Sequence, residues 1–139
     1  MRTYGLSVSF LAILVIAITL ACGSSPRVLK SVSLSPPTAD ARGNPVQFTA
    51  TGYFNEQPSP TKLHEASWGG CYQDQRTTAV SVSAEGVAQC AAGAVGTYTV
   101  WAVAESGGDS CGAAGMMPAN PCGGAGECQV TGTAQLTCP

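Results

Sequence analysis

Val95–Glu105 alternates with a period of two. Tyr98, Val100, Ala102 and Ala104 fall on one side of the segment, and Thr99 and Trp101 on the other. A side chain that changes face at every residue marks an extended strand lying on a core, whereas a helix repeats its apolar stripe every three to four residues. Val46–Phe54 has the same pattern, with Val46, Phe48, Ala50 and Gly52 opposed to Gln47, Thr49, Thr51 and Tyr53. Val28–Leu34 reads as a first strand with Val28, Lys30, Val32 and Leu34 on one side. Leu63–Trp68 is a weaker third strand, Ala79–Ser83 and Val87–Ala91 flank a tight hairpin at Ala84-Glu85-Gly86, and Glu127–Thr137 is the last. Ser35-Pro36-Pro37 breaks the first strand, and Asn55–Pro60 is a turn-rich loop. Seven short strands separated by turn signals, with no sustained helical period, predict an all-β sandwich.

The first 21 residues are of another kind. Arg2 is the basic residue of Met1–Gly5, Leu6–Leu20 follows without a charge, and Ala21 precedes Cys22. A short positive region, an apolar stretch and a small residue before the cut compose a secretory signal. The stretch is short for a spanning helix, which needs about 20 apolar residues. Ile18-Thr19-Leu20-Ala21-Cys22 resembles a bacterial lipobox, with Thr19 where leucine is usual. The resemblance implies cleavage after Ala21 and acylation of Cys22 with more than one chain, and at about 0.8 kcal/mol per buried methylene two or more chains anchor stably. The cysteine count agrees. The chain has seven cysteines, and an odd number in an exported protein calls for an explanation; assigning Cys22 to lipid leaves six. Residues 22–27 then make a flexible tether through Gly23-Ser24-Ser25-Pro26. Gly23 follows the cysteine, rather than the Asp that resembles an inner-membrane retention mark. The expected address is therefore the bacterial cell envelope, on the outer membrane, facing either the periplasm or the surface.

Beyond the tether, Arg27, Lys30, Arg42, Lys62 and Arg76 stand against eight acids and form no run. A nucleic-acid partner needs clustered Lys and Arg to displace counterions, so it is excluded as the expected ligand.

Four stretches then carry a family resemblance: Val32-Ser33-Leu34-Ser35-Pro36, Val46-Gln47-Phe48-Thr49-Ala50-Thr51-Gly52, Ala66-Ser67-Trp68, and Ala79-Val80-Ser81-Val82-Ser83-Ala84-Glu85-Gly86-Val87. Gly96-Thr97-Tyr98-Thr99-Val100 continues them in the right order. Together they are similar to bacterial immunoglobulin-like domains of group 2, over roughly residues 28–104. The resemblance implies an immunoglobulin-like β-sandwich across 28–139, used as an adhesive or spacer module, and it brings no catalytic residues with it. Two features depart from the family. Six cysteines stand in the domain, and residues 106–126 insert a long loop holding seven glycines with Met116, Met117 and Pro118. A loop of that length in a small domain is normally functional, disordered or cross-linked.

The domain cysteines are Cys71, Cys90, Cys111, Cys122, Cys128 and Cys138. No Cys-x-x-Cys knuckle or cysteine–histidine spacing suits a metal, so disulfides are expected and a metal is not. If Glu127–Thr137 is one strand, Cys128 and Cys138 lie roughly 33 Å apart, beyond the reach of about 7 Å between bridged Cα atoms. By strand direction, as the immunoglobulin-like resemblance implies it, Cys111, Cys122 and Cys128 belong to the loop end, and Cys71, Cys90 and Cys138 to the other. The expected bridges are Cys71–Cys90 and Cys111 with Cys122 or Cys128. The two left over join only if the loop folds down the sandwich.

No cofactor or catalytic set is expected. His64 is the single histidine and sits without a partner motif, and no Gly-x-Ser-x-Gly elbow is present. The acids Glu56, Glu65, Asp74, Glu85, Glu105, Asp109 and Glu127 are scattered, without calcium-loop spacing. Trp101, out of phase with the inward residues, is a candidate contact with a protein or carbohydrate ligand, or else packs under the 106–126 loop or against a neighbouring strand. Met116 and Met117 pose the same pair of alternatives. The expected function is a non-catalytic, lipid-anchored envelope module for binding, adhesion or spacing. The alternative is a periplasmic accessory subunit that docks on an envelope assembly through residues 106–126.

Overall fold

The computed structural model describes residues 26–105, 121–123 and 128–139, and all regular structure among them is strand. In β10 (Gly96–Glu105) Tyr98, Val100, Ala102 and Ala104 are all buried, as the period-two pattern requires. β11 (Gln129–Cys138) pairs antiparallel along the whole of β10, from Gly96↔Cys138 to Glu105↔Gln129. On the other side of β10 lies β6 (Ser67–Tyr72), from Thr99↔Cys71 to Val103↔Ser67. β2 (Thr38–Asp40) adds parallel to β11 and β7 (Gln75–Arg76) antiparallel to β6, so this layer runs β2-β11-β10-β6-β7.

The facing layer turns on one interrupted strand. The expected strand Val46–Phe54 breaks at Phe48, whose N–H donates to Gly86 O at 2.9 Å. Before the break, β3 (Val46–Gln47) pairs with β9 (Val87–Cys90); after it, β4 (Thr49–Phe54) pairs with β1 (Leu29–Ser35). β5 (Thr61–Lys62) flanks β4, and β8 (Val80–Val82) flanks β9. Read through the shared strand, the layer is β1, β4/β3, β9, β8. A four-strand layer in that order, facing the β11-β10-β6 layer, is the arrangement of an immunoglobulin-like sandwich. A further mark of that architecture stands at the start of β10. The Tyr98 hydroxyl donates to Val95 O at 3.2 Å, the tyrosine corner that ties the turn into this strand.

Between the layers lies one apolar cluster. Leu34, Phe48, Ala50, Val80 and Ala88 come from one layer, and Tyr98, Val100, Ala102, Ala134, Leu136 and Cys138 from the other. Phe48, Val100 and Leu136 are fully enclosed, each such side chain contributing about 1.5–3 kcal/mol by leaving water. Gly86 makes the approach of the β8–β9 hairpin possible. It has φ +86, and a Cβ there would meet Phe48 O and the Trp68 ring, so a side chain would be both strained and blocked. At the same turn, the Ser83 side-chain hydrogen bond holds the Glu85 carboxyl below its usual range.

Two further expectations about the strands need correction. Leu29, not Val28, is buried at the start of β1, because a register shift between Leu29 and Ser31 resets the alternation. The strand expected at Leu63–Trp68 is mostly a connection: Leu63–Ala66 lie between β5 and β6, and β6 begins only at Ser67 and runs on to Tyr72. Leu63 N still donates to Ala50 O at 2.9 Å, and the chain then crosses to the other layer. The break at Ser35-Pro36-Pro37 is real, but beyond it the chain resumes as β2 on the opposite layer. The expected secretion signal and most of the expected tether, residues 1–25, lie outside the described residues.

Candidate functional site

Cys71 stands in β6 opposite Thr99 and shares a side of the sheet with Trp101 and Val103, away from the inner core. These three are buried together, with Cys122 packed against them. Cys122 is bonded to Cys71, with Cα atoms 5.8 Å apart. Cys71 lies six residues along β10 from Glu105, roughly 20 Å at strand rise. The turn at 121–123 therefore folds back over the outer face of the sheet, and Pro121 is buried there. Gly69 is part of the same fit, since a Cβ on it would overlap the Trp101 ring. The Arg76 guanidinium lies over that ring at 5.6 Å, within cation–π range.

This overturns Trp101 as an exposed contact residue. It faces away from the inner core, as its phase requires, yet it is only 6% exposed because the Cys122 turn covers it. Its Nε1 and the Thr131 hydroxyl are buried with no hydrogen-bond partner among the described residues. Met116 and Met117 lie outside the described residues.

The second bridge is Cys90–Cys138, with Cα atoms 5.9 Å apart. It joins the end of β9 to the end of β11 across the two layers. The expected Cys71–Cys90 bridge is thus incorrect, for a reason of facing. Cys71 lies on the outer side of its sheet, whereas Cys90 packs against the inner core. A Cys111–Cys122 bridge is likewise excluded by Cys71–Cys122. Cys138 is taken by Cys90, so no Cys128–Cys138 bridge forms. Cys128 is also disulfide-bonded, to a cysteine outside the described residues, where Cys22 and Cys111 both lie.

The opposite kind of surface is found at the end of the sandwich where β1 begins and β10 ends. An open groove of about 760 Å³ lies there. Its base is apolar, with Leu29, Phe54 and Leu63, and its rim carries Arg27, Lys62, His64, Glu65, Glu105 and Gln129. Arg27 is not a loose rim residue. Its guanidinium stacks on the Phe54 ring at 3.6 Å and donates to Pro58 O and to Thr61 Oγ1. Asn55 secures the neighbouring backbone: its side chain accepts from Val28 N at 2.6 Å and donates to Pro26 O at 3.2 Å, and its N–H donates to Val28 O. His64 is exposed, and no hydrogen bond or ion pair joins it to another described residue.

Among the described residues no group of three His, Cys, Asp or Glu is arranged to hold a metal ion, and no helix is long and apolar enough to cross a membrane. The class that the fold defines is a disulfide-braced immunoglobulin-like β-sandwich. No family model matches the chain, and no curated protein matches it in sequence.

Proposed function

We propose that this chain is a lipid-anchored module of the bacterial cell envelope, on the outer membrane, which binds, adheres or spaces rather than catalyses. The group 2 immunoglobulin-like resemblance and the lipobox at Ile18–Cys22 point the same way. The observation that carries the reading is the state of the cysteines. Cys71, Cys90, Cys122, Cys128 and Cys138 are all in disulfides. The partner of Cys128 is one of Cys22 and Cys111, so one of those two remains, and the lipobox assigns acyl chains to Cys22. An even set within the domain then leaves the anchor outside it.

The test is Cys22→Ala. Release of the protein from the membrane fraction, or accumulation of the uncleaved precursor, is the expected outcome. Unchanged processing at residue 21 together with unchanged membrane partition refutes lipidation, because the described domain has no apolar helix able to hold a bilayer.

A further inference from the structure

We propose that the sandwich stands on the bilayer by its groove end, with the groove facing the lipid headgroups, and presents its opposite end outward. The proposal rests on acylation of Cys22 and adds an orientation to it.

The first argument is length. From Cys22 to Pro26 there are four residue steps, at most about 14 Å of extended chain. Slack ends there. Pro26 and Val28 are held by Asn55, and Arg27 by Phe54, Pro58 and Thr61. The point where the tether enters the domain is therefore fixed to the rim of the groove. The far end is out of reach on this scale. β10 runs from Glu105, at the groove, to Gly96, at the far end, nine steps or roughly 30 Å. At that far end stand the turn around Arg42, the segment after Cys90, and the Cys90–Cys138 bridge.

The second argument is the character of the groove end. Its rim carries both signs, Arg27, Lys62 and His64 beside Glu65 and Glu105. That mixture suits the paired phosphate and ammonium charges of a zwitterionic headgroup layer.

The chain offers its own probe, because Lys30 and Lys62 are its lysines. Both are exposed, Lys62 lines the groove, and Lys30 lies beside it at the start of β1. Arg42 is at the far end with its side chain 82% exposed, so Arg42→Lys introduces a distal amine. The lipidated Arg42→Lys protein is reconstituted in phosphatidylcholine–phosphatidylglycerol vesicles and treated with a bulky, membrane-impermeant amine reagent. Labelling of each site is read by peptide mass spectrometry against the Cys22→Ala, Arg42→Lys protein in solution. The expected result is a fall of about tenfold at Lys30 and Lys62, covered by the headgroup layer, with the amine at position 42 unchanged. An unchanged rate at Lys30 and Lys62, or an equal fall at all three sites, overturns the orientation, the latter by showing a domain lying on its side. Absence of acyl mass on Cys22 defeats the parent reading and this one with it, whereas an acylated chain with equal labelling defeats the orientation alone.

Discussion

The two buried regions of this protein are built by different means. The inner core is assembled from strand alternation: Phe48, Val100 and Leu136 are enclosed because each lies on the inward side of a strand in one of two facing layers. The outer cluster of Cys71, Trp101 and Val103 lies on the opposite side of one layer. It is buried because a turn at 121–123 is bonded down over it. Among the described residues, no buried side chain of the inner core is polar or charged beyond the Tyr98 hydroxyl, which is bonded to Val95 O. The outer cluster encloses a Trp101 Nε1 and a Thr131 hydroxyl without partners among the described residues. An inner core made of complementary layers leaves few polar atoms to satisfy, whereas a covered sheet face buries whatever polar atoms that face carries.

Phe48→Ala is the strongest way to challenge this distinction. Phe48 is 0% exposed and donates its N–H to Gly86 O at the junction of β3 and β4. Its truncation should lower unfolding free energy by about 3–5 kcal/mol, measured by urea denaturation. A loss below about 1 kcal/mol would mean that the layers do not share one core.

Removing each bridge sharpens the comparison. Cys71→Ala with Cys122→Ala, and Cys90→Ala with Cys138→Ala, open loops of nearly equal length, with separations of 51 and 48 residues. Each pair should therefore cost a similar amount, about 2–4 kcal/mol. The consequences for Trp101 should differ. In a Trp68→Phe background, opening Cys71–Cys122 should shift Trp101 emission to the red and raise its quenching by acrylamide, while opening Cys90–Cys138 should leave both unchanged. Equal emission in the two variants would show that the Cys122 turn is not what covers Trp101.

The smallest expected effect belongs to Tyr98→Phe. It removes one hydrogen bond of 3.2 Å and should cost about 0.5–1.5 kcal/mol, read as a shift in the denaturation midpoint with an unchanged slope. No loss would mean that the corner does not hold the start of β10.

The bounds of β6 decide the pairing of Cys71. The alternation at Leu63–Trp68 is weak, and β6 starts at Ser67 and runs through Gly69-Gly70 to Tyr72, where glycines show no alternation and are depleted in strands. Gly69 is there because the Trp101 ring leaves no room for a Cβ, a requirement that comes from a strand more than thirty residues away. A strand that ends at Trp68 gives Cys71 no face, only a place near the same end of the sandwich as Cys90. Placed within β6 it faces outward, and Cys90 is beyond its reach. β2 is not legible in the sequence for a related reason. Three residues pairing in parallel with a strand near the other end of the chain leave no local signature.

Alternation alone determined that the described domain is all-β and which sides of Val46–Phe54 and Val95–Glu105 turn inward, because the face of a strand residue follows from its position in a two-residue repeat. The expected secretion signal and the candidate anchor at Cys22 rest on equally local features, namely charge, length and one small residue. Tertiary structure decided which cysteines meet, that Trp101 is covered, and that Arg27 is fixed to the groove rim by stacking on Phe54. Each of these joins segments tens of residues apart, and their meeting depends on which layer each strand enters and on where the chain from Glu105 to Gln129 turns back.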